Sequence, residues 1–234
     1  MKEMTVYLAS PLTKFQGTYL NDMPVLVSFA LWRGWESRFQ QAWGPMLLDS
    51  GAYSEFNSGV KVDLGAYVEF TKEWGWRFEA IAGLDDISGD WKRSLKNYES
   101  VGFPTFHSSD PHGLLDDLIP IARERGGWLG LGVKPINGCR RYADKWVRAT
   151  LDRVPDDIHI HGWAMRAFIK YRRLDSVDST NWFRDAHKLL ARGAPLSWLT
   201  EGEVLEIVVK RYRREHLICS REKSDQVDLF GKLP

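Results

Sequence analysis

The strongest constraint on the fold is an alternation repeated along the chain. Short apolar, β-branched runs ending in polar or glycine residues are each followed by a stretch of helical character. Eight such runs occur: Thr5–Ala9, Val25–Phe29, Met46–Asp49, Ala80–Asp85, Pro104–His107, Trp128–Val133, Ile158–Gly162 and Leu174–Asp178. Helices are predicted at about 35–43, 63–76, 91–101, 113–126, 138–154, 163–172, 181–192 and 200–216. Within the fourth of these, Leu114, Leu115, Leu118, Ile119 and Ala122 recur at three- and four-residue intervals, the spacing of one apolar helix face. Asp63 and Thr200 are predicted N-caps, the latter with Glu203 three residues on, as in a capping box.

Alternating strands and helices imply parallel strands joined by right-handed crossovers. Eight units predict an α/β fold of the closed (β/α)8 TIM-barrel type, one domain over residues 1–218, with a doubly wound open sheet as the alternative. The 234 residues fall a little below the roughly 250 typical of such barrels, so the connections must be compact. From Cys219 onward the chain is too polar to add to a core, and residues 219–234 read as a flexible tail.

Composition narrows the class. No apolar stretch reaches the eighteen or so residues that span a bilayer, and two cysteines eighty positions apart make neither a zinc knuckle nor a disulfide framework. A cytoplasmic protein, with no membrane partner, is expected. With 32 Lys and Arg against 31 Asp and Glu, any nucleic-acid contact must come from local clustering of charge. The 11 tryptophans are the outlying number. Most are expected between helices and barrel, with Trp163 and Trp182 placed after strands where they could stack on a ligand.

A barrel builds its active site at the C-terminal ends of its strands, so the residues found there matter most. The third run ends in Asp49-Ser50-Gly51-Ala52-Tyr53, the fourth in Asp85-Asp86, the fifth in His107-Ser108-Ser109-Asp110. The sixth passes through Gly130 and Gly132 to Lys134, the seventh contains His159, His161 and Gly162, and the eighth ends in Asp178. An aspartate after a strand ordinarily caps the next helix, and Asp86 and Asp110 are read that way. Asp49, Asp85 and Asp178 are expected to meet in one pocket if the barrel forms.

These residues carry a resemblance. Asp49-Ser50-Gly51-Ala52-Tyr53 resembles the Asp-Ser-Gly-Gly-aromatic signature of the tRNA-guanine transglycosylases. Leu84-Asp85, Leu129-Gly130-Leu131-Gly132, His161-Gly162 and Asp178 follow in that family's order. The resemblance implies exchange of guanine for a 7-deazaguanine through a covalent aspartyl intermediate. It implies Asp178 as nucleophile, Asp49 as acid/base, and a base site of Asp85, Ser50, Gly51, Tyr53, His107, Gly130, Gly132, His161 and Gly162. His161 departs from the family, which has an apolar residue there. The cysteines of the tRNA enzymes' zinc site are absent, so no metal and no cofactor is expected, and the chain looks closer to the DpdA-like proteins that modify DNA. A tRNA enzyme, a non-catalytic nucleic-acid-binding barrel and an unrelated barrel hydrolase are the alternatives.

DNA as partner would be met by Lys134, Arg166, Arg211, Arg213 and Arg214. In the tail, Gln226-Val227-Asp228-Leu229-Phe230 resembles the peptide by which DNA-processing proteins dock on the polymerase sliding clamp, with Gln226, Leu229 and Phe230 as the contacting residues.

Overall fold

The computed structural model describes residues 4–9, 20, 22–31, 44–59, 61–133, 140–165, 168–180, 203 and 208–210. Among them are eight strands: β1 (Thr5–Ala9), β2 (Val25–Ser28), β3 (Met46–Asp49), β4 (Ala80–Ile81), β5 (Thr105–His107), β6 (Trp128–Gly132), β7 (His159–Trp163) and β8 (Ser176–Ser179). They form one sheet in the order β4-β3-β2-β1-β8-β7-β6-β5, with every pairing parallel. Pairing of Thr5 with Ser176 sets the last strand beside the first, and the sheet curls into a half-barrel. Its edge strands β4 and β5 meet at one bridge between Ala82 and Phe103. There the Phe103 N–H donates to Ile81 O, and the Gly83 N–H donates to Phe103 O, both at 2.8 Å.

Five helices have both ends among the described residues: α1 (Ala52–Ser58), α2 (Leu64–Trp74), α3 (Trp91–Tyr98), α4 (Leu114–Glu124) and α5 (Arg140–Leu151). Of the helix expected at 163–172, residues 166 and 167 lie outside the described residues, and Trp163 instead ends β7. Ala164 takes a left-handed φ of 51°, and Phe168, Tyr171 and Leu174 each donate to the carbonyl three residues back, the bonding of tight single turns. Helix α1 was not anticipated. Gly51, at φ 90°, turns the chain directly from strand into helix, a conformation open to glycine and strained for other residues. The helices predicted at 35–43 and 181–192 fall outside the described residues, and of the last only Glu203 and 208–210 are described, all helical.

Asp63 caps α2 as its sequence position suggests, its Oδ1 accepting the Ala66 N–H at 2.7 Å. Asp63→Ala is expected to cost about 1 kcal/mol, read as a lower urea midpoint at unchanged slope.

The pleat sorts side chains between two environments. In β6, Leu129 and Leu131 point outward and join Leu114, Leu115, Leu118 and Ala122 of α4 in a continuous outer core. Trp128 points inward, where it meets Tyr7, Leu26, Leu47, Ala82 and Phe103. Each fully buried leucine stabilises the fold by roughly 2 kcal/mol. The tryptophans divide accordingly: Trp128 and Trp163 belong to the interior, Trp146 stacks on Phe106 outside the strands, and Trp76 is exposed. No helix among the described residues is long and apolar enough to cross a membrane.

Candidate active site

Parallel strands deliver all their C-terminal ends to the same side of a sheet, and a cavity of about 380 Å³ opens there. Asp49 closes β3, Asp85 follows β4, His107 closes β5, Trp163 closes β7 and Asp178 lies in β8, and all five line it. The three aspartates expected to converge therefore share one cavity.

Asp49 is closed in by its surroundings. Burial pushes its carboxyl up to about 7; the Gly51 N–H opposes this, the charge of Asp85 adds to it, the Ser28 hydroxyl opposes it, and Asp178 adds to it again. The residue keeps some exposure, on the cavity side, so it is closed off from bulk water while remaining open to a ligand. The left-handed Gly51 aims its N–H back at Asp49, and a Cβ there would collide with Ala30.

Asp85 is held by His107, whose Nε2 lies 2.5 Å from Asp85 Oδ2. The loop that sets this ring is fixed by Asp110, which accepts the His107 backbone N–H at 2.7 Å, so Asp110 organises a turn and not the helix cap expected of it, Gly113 standing at that cap. Gly132 leaves room for the imidazole, since a Cβ at that position would run into the ring. Gly130 does the same for Trp163, whose indole N–H donates to Thr105 Oγ1 at 3.1 Å and whose ring stacks on Phe103 at an interplanar angle of 12°.

Asp178 Oδ1 accepts the Ala164 N–H at 2.7 Å. The left-handed backbone at Ala164 costs about 1 kcal/mol and is what turns that N–H toward the carboxylate. Ser28 and Ser50 also line the cavity. The Ser50 hydroxyl is buried and has no hydrogen-bonding partner in the protein, while the buried Ser28 hydroxyl faces the Asp49 carboxyl.

Of the residues singled out in the sequence, Asp49, Ser50, Tyr53, Asp85, His107, Gly132 and Asp178 line the cavity, Tyr53 as an exposed residue. Gly51 stands behind Asp49, Gly130 beside Trp163, and His161 and Gly162 are buried outside the lining. Lys134, Arg166, Arg211, Arg213, Arg214, Gln226, Leu229 and Phe230 lie outside the described residues, as does Trp182. Sequence reasoning missed Ser28 and Ala164. Ser28 ends the second strand, where polar residues of the other strands had drawn attention; the contribution of Ala164 is a backbone N–H and leaves no mark in residue type. No group of three or more His, Cys, Asp and Glu side chains among the described residues is arranged to hold a metal ion.

No family model matches the sequence, and no curated protein matches it. Among solved structures the chain is similar to the YdjI aldolase from Escherichia coli K12, with a TM-score of 0.60 over 93% of this chain and 91% of that one, at 11% identity. A likeness at that identity defines the class of fold alone, a curled parallel α/β sheet. The resemblance to tRNA-guanine and DpdA-like transglycosylases is not upheld. It rested on short motifs that no family model or curated protein supports, and the structural likeness is to an aldolase. Guanine exchange in DNA through an aspartyl intermediate, the tRNA variant and the accessory nucleic-acid-binding barrel are withdrawn with it.

Proposed function

We propose that residues 1–218 form a single (β/α)8 barrel, closed where Ala82 meets Phe103, and that it is an acid–base enzyme acting on a small, uncharged or cationic, donor-rich substrate. The carrying observation is Asp49, a carboxyl whose proton affinity is raised to about 7 on the wall of a cavity. Such a group is half-protonated near neutral pH and can both give and take a proton within one turnover. The cavity volume suits a small molecule. Its described lining carries Asp49, Asp85, Asp178 and His107 and no lysine or arginine, which disfavours anionic ligands. The buried hydroxyl of Ser50 calls for a polar partner that a bound ligand would supply. Asp85, braced by His107, accepts hydrogen bonds from donors on the substrate. Asp178 stabilises positive charge that develops as the bond breaks.

Aldol cleavage is the second reading, favoured by the likeness to the YdjI aldolase. In it Asp49 would take the hydroxyl proton as the carbon–carbon bond opens, and the electron sink at the carbonyl would come from a group beyond the described lining.

The test is incubation of the purified protein with neutral sugars, polyols and hydroxy-carbonyl compounds, with products followed by mass spectrometry. Turnover is expected to change over a pH range centred near 7, and to fall about 10²–10⁴-fold in Asp49→Asn with that pH dependence gone. Full turnover in Asp49→Asn would overturn the reading.

A further inference from the structure

His161 is wholly buried inside the sheet, and the cavity chemistry above makes no use of it. Its two ring nitrogens face different partners. Nδ1 lies 2.9 Å from Ser176 Oγ, on the paired strand. Nε2 is 3.5 Å from Asp178 Oδ1, an ion-pair distance outside hydrogen-bond geometry, and this buried nitrogen has no hydrogen-bonding partner. Ser176 Oγ in turn lies 2.8 Å from His159 Nε2. A serine, a histidine and an aspartate are thus in line, yet the serine is fully buried at the start of its strand, where no substrate reaches it, so this is no nucleophile triad.

The direction of each hydrogen follows from the acceptors. An ionised Asp178 offers only lone pairs, so the hydrogen facing it must be carried by His161 Nε2. In the neutral ring Nδ1 is then an acceptor, and the Ser176 hydroxyl must donate to it. The remaining lone pair of Ser176 Oγ accepts from His159 Nε2–H. All three donors point the same way, toward Asp178. The His161 ring is held between Tyr7, edge-on at 5.8 Å, and Trp163, edge-on at 4.4 Å, so it cannot turn over to present the other nitrogen. His159 is fixed by stacking on Trp128.

We propose that His161 is a positioning residue for Asp178: Ser176 and His159 lock its tautomer so that a single N–H always faces the carboxylate from below. The Ala164 N–H donates to the same oxygen, so Asp178 Oδ1 is bonded by one N–H and faced by a second at 3.5 Å, and Oδ2 is left to the substrate. This inference rests on the reading of the cavity as an acid–base site, which gives Asp178 its role.

The chain has 6 histidines, few enough for each ring to be assigned by single substitution in ¹⁵N-labelled protein. The expected signature at pH 8 is a downfield, exchange-protected proton on His161 Nε2, lost in Asp178→Asn and weakened in Ser176→Ala. A proton on Nδ1 instead, or an Nε2 proton unmoved by Asp178→Asn, would overturn the proposal. Should Ser176→Ala fail to fold, His159→Gln tests the same lock from a partly exposed position and should also weaken the signal. With a substrate in hand, His161→Phe should lower kcat about 10- to 100-fold at unchanged KM, with partial recovery in His161→Gln, whose amide still donates. The two readings fail separately: the NMR signature without any turnover sinks the acid–base function and keeps the lock, whereas turnover without the signature sinks the lock.

Discussion

Asp49→Asn is expected to unfold about 10 °C higher than the unsubstituted protein at pH 8, and at the same temperature at pH 4. The reasoning is linkage. The Asp49 carboxyl is raised from an ordinary 3.8 to about 7 in the folded protein, so the folded state holds its proton more tightly than the unfolded state does. Stability from this group is fully present below pH 4 and is lost as pH rises through 7, where the folded protein must ionise a closed-in carboxyl. The difference is at most about 4 kcal/mol, since water in the cavity screens part of it, and each kcal/mol moves the midpoint by about 2–4 °C in a protein of this size. Asparagine mimics the neutral acid and escapes the loss. Thermal unfolding from pH 4 to 9 reads the effect directly; parallel curves for the two proteins would show that Asp49 ionises without strain. The same substitution is expected to lower the proposed turnover, and a residue that costs stability while enabling chemistry is the expected mark of a functional site.

Gly102→Ala should be the most damaging single methyl group in the fold, at about 3 kcal/mol. Gly102 has φ 73°, and a Cβ there would collide with the Ala82 carbonyl and the Gly83 nitrogen. Those atoms belong to the segment that bridges β4 to β5, where Phe103 O accepts the Gly83 N–H and the Phe103 N–H donates to Ile81 O. The alanine therefore meets both the left-handed penalty of about 1 kcal/mol and the cost of forcing two backbones apart. Gly126→Ala separates the two terms. Its φ is 96° and nothing lies within 4 Å of the added carbon, so it should lose about 1 kcal/mol only. Equal urea midpoints for the two variants would mean that the β4–β5 contact is loose and adds nothing to stability.

The strand pattern was legible because the apolar runs are short, β-branched and bounded by polar residues, so that seven of the eight predicted runs lie within a residue or two of an observed strand. The fourth, read as Ala80–Asp85, shrinks to Ala80–Ile81 because its neighbour β5 meets it at only one residue. Asp49, Asp85 and Asp178 were legible as a group because topology alone sends parallel strand ends to one side. What misled was the motif. Asp-Ser-Gly at a strand end is what a sharp strand-to-helix turn demands of its backbone: the glycine adopts φ 90° and returns its N–H to the aspartate. Such a run reports the geometry of a βα unit before it reports any reaction. The pairing of Asp85 with His107, and the chain from His159 to Asp178, were illegible because they depend on strand register and on the spaces left by Gly130 and Gly132.

The pairing of β1 with β8 also has a consequence for how the chain is made. The outward-facing buried residues of β2 and β3 and of β5 to β8 gather in separate outer cores, joined by the β1–β8 ladder, the single bridge between β4 and β5 and the interior cluster around Trp128. Asp49 and Asp85 belong to the first half, His107 and Asp178 to the second. During synthesis the first half emerges with β1 as an open edge, and its partner strand leaves the ribosome only after most of the chain has been translated. The cavity exists only once the halves have docked, so a tight ligand acts as a clasp across both seams and should slow the opening of the newly made protein as well as its heat denaturation.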